Sequence, residues 1–346
     1  MSRDDGPRAA TYSEGSLVDG RFRIVALLGR GGLSEVYRAV VTEPSGSLHG
    51  GEEVALKIVM PELLGSDKAI SRFKREMRWT QRIDHPNVIS VKDFVLLSHD
   101  GTELPCLVME LLEGESLVEY LERRGVMSGE EAKPIVCQMA AALDAAHRAG
   151  IVHRDLKPAN VILVPRTADD VPRVVLTDFG VAREDKSTDL RDDSQSLTAS
   201  NVILGTPDYL APEQLELEEA LPASDLYALG LCFYQMVTGS LPFEADSPLE
   251  AVFQRVQKDA PSPSLKRPDL EANLEKVILR CLARDPEDRY SSGAEIIRDL
   301  DGQNSGYLTA IPRRRVGTEV WVSLATIGIL LLVAIVVAVI YASKGM

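Results

Sequence analysis

The string "HRDLKPAN", His153 to Asn160, concentrates side chains of the kind that catalysis needs. It follows a helix-like run that ends at Gly150 and precedes the apolar stretch "VILV". Pro158 restricts the backbone, so Asp155, Lys157 and Asn160 can converge from one tight loop. A carboxylate that accepts a proton, an ammonium that meets developing charge and a carboxamide that holds a metal form the set used in phosphoryl transfer.

Three other places add to this set. "DFG", Asp178 to Gly180, closes a second short strand, and with Asn160 it offers oxygen ligands suited to Mg²⁺. Lys57 ends the apolar stretch "VALK", where a buried ammonium needs an anion or a partner charge. Glu76, in the helix-like "RFKREM", is placed to pair with it. "GRGGLSEVY", Gly29 to Tyr37, packs glycines closely enough for backbone N–H groups to approach a phosphate. The third glycine of a G-x-G-x-x-G-x-V loop is replaced by Ser34, which suits an extended strand and leaves the loop competent.

These residues need elements to position them. From Arg21 to Met109 the chain is strand-rich with one helix. "RFRIVALLG", "EVYRAVV" and "EEVALKIVM" alternate or run apolar, and "VISVKDFVLLS" and "LPCLVMELL" form a hairpin across "HDGTE". "DKAISRFKREMRWTQRI" carries helical spacing. After Gly114 the pattern turns helical, in "LVEYLERRG", "EEAKPIVCQMAAALDAAHRAG", "SDLYALGLCFYQMVTG", "LEAVFQRVQ" and "LEKVILRCLA". The pair "NVILVP" and "RVVLTD" interrupts it.

With 346 residues the chain can bury a sizeable core, and a net charge of -14 argues against a nucleic-acid partner. Its four cysteines are scattered without ligand spacing, which suits a reducing compartment. The opening "MSRDDGPRAATYSEG" lacks the apolar core of a secretory leader.

Taken in order, Gly29-Arg30-Gly31, Val54 to Lys57, Glu76, His153 to Asn160, Asp178 to Gly180, Ala211-Pro212-Glu213, Asp225, Gly230 and Arg289 resemble the protein kinases. "HPNV" and "GTPDYLAPEQ" are similar to the bacterial serine/threonine kinases of the eukaryotic (Hanks) type. The resemblance covers roughly Gly20 to Leu300 and implies an α+β, bilobal fold. The expected organisation is a flexible tail over 1–19, an N-lobe over 20–110 and a C-lobe over 111–302. A juxtamembrane linker over 303–319, a transmembrane helix over 320–342 and a short external tail over 343–346 complete it.

The resemblance also implies roles. Lys57, held by Glu76, would contact the phosphates of ATP beneath Gly29, Gly31, Gly32 and Ser34. Asp155 would take the proton of the acceptor hydroxyl and Lys157 would meet the transferred group. Asn160 and Asp178 would hold Mg²⁺. Leu28, Val36, Ala55, Met109 and Ile162 would sandwich the adenine, with the backbone of Glu110 and Leu112 at its edge. Glu213 and Arg289 would form a buried ion pair, and Asp225 would anchor the catalytic loop. Lys157 and Thr206 imply serine or threonine acceptors in protein substrates. Arg154 implies activation by a phosphate on the segment from Asp178 to Glu213. Of Ser187, Thr188, Ser194, Ser196, Thr198 and Ser200, Thr198 and Ser200 fit best by their distance from Thr206. A kinase-fold scaffold of weak activity is the alternative.

Residues Trp321 to Ala342 contain no charge. A helix of that length reaches about 33 Å, enough to cross a hydrocarbon core. Arg313, Arg314 and Arg315 precede it and only Lys344 follows, so the kinase portion is expected in the cytoplasm. Ala334, Ala338 and Ala342 form a small-residue stripe that would suit a homodimer phosphorylating itself in trans.

Overall fold

The computed structural model describes residues 10–31, 34–59, 81, 83–99, 101–166, 171–179, 207–216, 220–245 and 247–301. Gly32, Glu76, Gly180, Thr198, Ser200, Thr206 and the apolar segment 321–342 lie outside the described residues. Among the described residues no helix is long and apolar enough to cross a membrane.

The N-terminal part is an antiparallel sheet in the order β1-β2-β3-β4-β6-β5. Its strands are β1 (Leu17–Val18), β2 (Phe22–Arg30), β3 (Ser34–Val41), β4 (Glu53–Val59), β5 (Val91–His99) and β6 (Thr102–Glu110). Side chains alternate across a strand, and this sheet buries apolar residues on both faces. Tyr37, Ala39, Val54, Leu56 and Ile58 pack on one side with Phe22, Ile24 and Cys106. Ala55, Val59, Leu107 and Met109 pack on the other with Ile89 and Val175. Lys57 shares the second face by the same alternation, which turns its ammonium toward the lower part of the molecule.

One expectation is corrected here. The stretch 1–19 was read as a flexible tail from its polarity, yet Leu17–Val18 pairs with Phe22–Arg23 as an edge strand. The Gly15 N–H also donates to the Ile24 carbonyl at 2.9 Å. Val18 is buried in the upper core, and that burial outweighs the polar flanks.

Below the sheet the chain is helical. Helices α1 (Leu117–Arg124) and α2 (Gly129–Arg148) each begin with a reciprocal capping box, Ser116 with Glu119 and Ser128 with Glu131. The short strand β7 (Glu115–Ser116) pairs with β8 (Val161–Val164), which pairs with β9 (Arg173–Leu176). A one-turn α3 (Pro212–Leu215) leads to α4 (Pro222–Thr238), which is apolar nearly all round and runs through the core. Gly239 ends α4 in the left-handed conformation with φ 81°. Helices α5 (Pro248–Gln257), α6 (Ala272–Cys281) and α7 (Gly293–Leu300) complete the lobe.

Two seams join the sheet to the helical part. The Ile89 N–H donates to the Leu176 carbonyl at 3.0 Å, and the Leu176 N–H donates to the Asn87 carbonyl at 2.9 Å. Beside them, Glu110 at the end of β6 accepts from Arg173 on β9 through both oxygens at 3.1 Å.

The start of α7 lies so close to α2 that a Cβ on Gly293 would sit 2.0 Å from the Ala140 carbonyl oxygen. Backbone on both sides leaves no side chain to move aside. Replacing Gly293 by Ala is therefore expected to destabilise the domain by about 3 kcal/mol, the upper range for overpacking. Urea unfolding of the variant beside the parent measures it.

Candidate active site

The loop between α2 and β8 takes a course that most residues resist. Arg154 has φ 66° and Asp178, just past β9, has φ 59°, both in the left-handed region. Asp225, at 2% exposure in the first turn of α4, holds the first of them. Its Oδ2 accepts from the His153 N–H at 2.8 Å and from His147 Nε2 at 2.7 Å. Its Oδ1 accepts from the Arg154 N–H at 2.9 Å.

His153 is fully buried. Its Nε2 lies 3.0 Å from the Thr177 carbonyl, and its ring is stacked at 4.5 Å on Phe179. Burial pushes the imidazole below its ordinary pKa against the pull of Asp225, Asp155 and Asp178. The ring thus joins the catalytic loop to the Asp178–Phe179 segment.

With the loop held, its side chains converge. Lys157 Nζ donates to Asp155 Oδ2 at 2.9 Å. Asn160 Nδ2 donates to the Asp155 carbonyl at 2.7 Å and to its Oδ2 at 3.2 Å. The Thr177 N–H donates to the Asn160 carbonyl at 2.9 Å, bringing Asp178 alongside. From the sheet above, Lys57 Nζ reaches Asp178 Oδ1 at 2.5 Å. The partner read for Lys57 from sequence, Glu76, lies outside the described residues; the ion pair seen here is with Asp178. Asp155 also lines a small cavity with Tyr209, Leu210 and Gln214.

The residues read as an adenine sandwich are brought together in part. Ala55 and Met109 face one another across β4 and β6, and Val36 and Leu112 pack against the same cluster. Leu28 is exposed beside a bulge in β2, and Ile162 on β8 is half-buried outside that cluster. At the glycine-rich hairpin the Gly31 N–H donates to the Ser34 carbonyl at 2.8 Å. Ser34 is the first residue of β3, opposite Val59. Extended backbone there removes the need for a glycine. Among the described residues no atom lies within 4 Å of a Cβ built on Gly29, so that glycine answers to no protein neighbour.

Asn160 and Asp178 fit Mg²⁺ by their donor chemistry. Asn160 commits its amide nitrogen to Asp155, which leaves its carbonyl oxygen as the ligating atom, and Asp178 keeps Oδ2 beyond the Lys57 contact. Two hard oxygen donors suit an ion that takes its remaining ligands from water and phosphate.

Glu213 and Arg289 meet in a bidentate pair at 2.8 Å through both arms, with 3% and 0% side-chain exposure. Ser224 adds a hydroxyl to Glu213 at 2.6 Å. Sequence reading did not find the Glu110–Arg173 pair or the buried Arg255. Arg255 on α5 donates to the Leu210 carbonyl at 3.0 Å. The string "FQRVQ" carries no mark that its arginine faces inward.

Two lobes joined at Glu110, with these side chains lining the seam, define a protein kinase domain. Residues 22–299 match that family, and the chain belongs to it. It is 36% identical over 304 residues to the serine/threonine-protein kinase pkn3 of Myxococcus xanthus, covering 87% of this chain and 53% of that protein. Identity to PknB of Mycobacterium tuberculosis is 33% over 293 residues, covering 85% and 44%. The PknI kinase domain of Mycobacterium tuberculosis superposes with a TM-score of 0.62 at 28% identity, covering 84% of this chain and 98% of that one. The chain spans about half the length of the curated relatives it matches.

Burial works to raise the Glu213 carboxyl, but the Arg289 guanidinium and the Ser224 hydroxyl outweigh it and hold the group below its ordinary value. A folded-state value below the unfolded one means that this contribution is complete above the unfolded pKa of about 4.3. It fades as pH falls through the folded value. Glu213→Ala leaves a buried guanidinium unpaired and is expected to cost about 3–5 kcal/mol near neutral pH. Urea midpoints of parent and variant should converge as pH falls below 4.

Proposed function

We propose that the chain is a membrane-tethered serine/threonine protein kinase that moves the γ-phosphate of ATP to Ser and Thr hydroxyls of proteins. The observation that carries this reading is the convergence of Lys57, Asp155, Lys157, Asn160 and Asp178 from separate parts of the chain. Its relatives named above are described as serine/threonine-protein kinases.

In this reading Lys57 exchanges Asp178 for the ATP phosphates, under the hairpin of Gly29, Gly31, Gly32 and Ser34. Glu76 takes up the lysine from above. Ala55, Met109, Val36 and Leu112 receive the adenine, with Glu110 and Leu112 presenting backbone to its edge; Leu28 and Ile162 close over it as the lobes approach. Asp155, oriented by Lys157 and Asn160, accepts the proton of the attacking hydroxyl. That oxygen bonds to the γ-phosphorus as the bond to the bridging oxygen breaks, and ADP leaves. Lys157 neutralises charge on the transferred group. Mg²⁺ held by Asn160 and Asp178 would supply charge neutralisation at the phosphates.

Tethering rests on the uncharged segment 321–342 and on the arginines before it, which place the kinase portion in the cytoplasm. Activation by autophosphorylation rests on Arg154 beside Asp155 and on Thr198 and Ser200. Phosphate there adds about -1.5 to -2 charges for a guanidinium to hold. Thr206 lies in the acceptor-side segment. The Ala334, Ala338 and Ala342 stripe supports a homodimer acting in trans.

The test is transfer from γ-labelled ATP to a generic basic protein, with Asp155→Asn beside the parent. Asp155→Asn is expected to lower transfer by on the order of 10²–10⁴ while leaving thermal stability unchanged. Label should appear on serine and threonine. Equal transfer by parent and variant would favour the scaffold and end this reading.

A further inference from the structure

Glu35 is a carboxylate at 3% exposure, one residue past Ser34. Alternation in β3 turns Glu35, Tyr37, Ala39 and Val41 away from the cleft, while Ser34 and Val36 take the opposite face. A charge buried there without partners would be costly. Arg30, the residue between the first two loop glycines, lies opposite Glu35 in the β2–β3 ladder and meets its Oε1 at 2.8 Å. Glu35 Oε2 accepts from the Tyr37 hydroxyl at 2.5 Å and from the Thr11 N–H at 3.0 Å. The Tyr12 N–H in turn donates to the Tyr37 hydroxyl at 3.1 Å.

Tyr12 is itself fixed from a second direction. Its ring meets Tyr37 edge-on at 6.0 Å and His99, at the tip of the β5–β6 hairpin, at 5.0 Å. The segment therefore ties β3 to β5 across the top of the sheet. Burial works to raise the Glu35 carboxyl, but the Tyr37 hydroxyl, the Thr11 amide and Arg30 outweigh it and hold the group below its ordinary value. The ion pair thus stands throughout the neutral range.

We propose that Thr11 and Tyr12, acting through Glu35 and Tyr37, clamp the phosphate-covering hairpin from behind and thereby set its affinity for the polyphosphate part of the nucleotide. The clamp rests on the kinase reading above. Arg30 and Ser34 bound the loop at Gly31, and the clamp fixes both strands at that mouth. A loop with serine in its third glycine position gains its shape from contacts behind it, and holding it ready reduces the ordering cost when phosphate binds. Glu35, Tyr37, Thr11 and Tyr12 are positioning residues: they touch the hairpin's strands on the face away from the cleft.

The experiment measures binding of a non-hydrolysable ATP analogue and of adenosine to the full chain, for the parent, Glu35→Gln, Tyr37→Phe and Tyr12→Ala. The analogue's Kd is expected to rise about three- to tenfold in each variant, the loss of one or two hydrogen bonds' worth of preorganisation. Adenosine binding should stay unchanged, and KM for ATP should rise with kcat and the protein-substrate KM unaltered. Tyr12→Phe, which keeps the ring and the backbone N–H, should restore the parent values. Equal weakening of both ligands would mean general loosening of the lobe and would overturn the clamp, as would no change in either. If Glu35→Gln fails to fold, Tyr37→Phe, which removes one oxygen, carries the same comparison. A parent that binds neither ligand would sink the kinase reading along with the clamp, whereas a parent that binds both beside indifferent variants would sink the clamp alone.

Discussion

The site depends on one buried carboxylate. Asp225 accepts from the backbone of His153 and Arg154 and from the His147 ring, so both oxygens are occupied by the loop and by the helix before it. A left-handed arginine is held against its own preference by those bonds. Without that constraint the loop has no reason to turn Asp155, Lys157 and Asn160 inward together. The chemistry is therefore set from beneath, by a group that touches none of the reacting atoms.

The second constraint is the alternation of β4. Because side chains face opposite ways at each step, Lys57 descends while Leu56 and Ile58 enter the upper core. A slip of one residue would bury the ammonium among Phe22 and Cys106 and lift Leu56 into the cleft. Register and reactivity are thus the same fact at this strand. The Lys57–Asp178 contact couples two segments that lie 121 positions apart, and Glu110 with Arg173 couples them again at the hinge.

Much of this was legible in the sequence because it is local. "HRDLKPAN" encodes its own turn, and the five long helical stretches announce themselves by apolar spacing. What stayed hidden depends on distant partners. Residues 11–18 look like a tail because Thr11 and Tyr12 find Glu35 and Tyr37 more than twenty positions away. Glu35 itself falls on the buried face of β3, where alternation alone argues for an apolar residue. Strand β7 is two residues long and exists only because β8 lies beside it. Helix α7 is short enough that its spacing of Ile296 and Leu300 carries little weight in isolation. The partner of Lys57 was read as Glu76, while the contact in the described residues is to Asp178.

Arg289 uses every donor that a guanidinium has. Nε reaches the Ala283 carbonyl, one arm serves Glu213 and the Ala223 carbonyl, and the other serves Glu213 and the Arg284 carbonyl. A lysine offers a single nitrogen and no planar fork, so it can reproduce neither the geometry nor the count. Sequence drift at this position has no gradual route: any replacement must remodel four surrounding acceptor residues in one step. The corner is a fixed datum, and the peptide-facing surface can diversify around it without moving the chemistry.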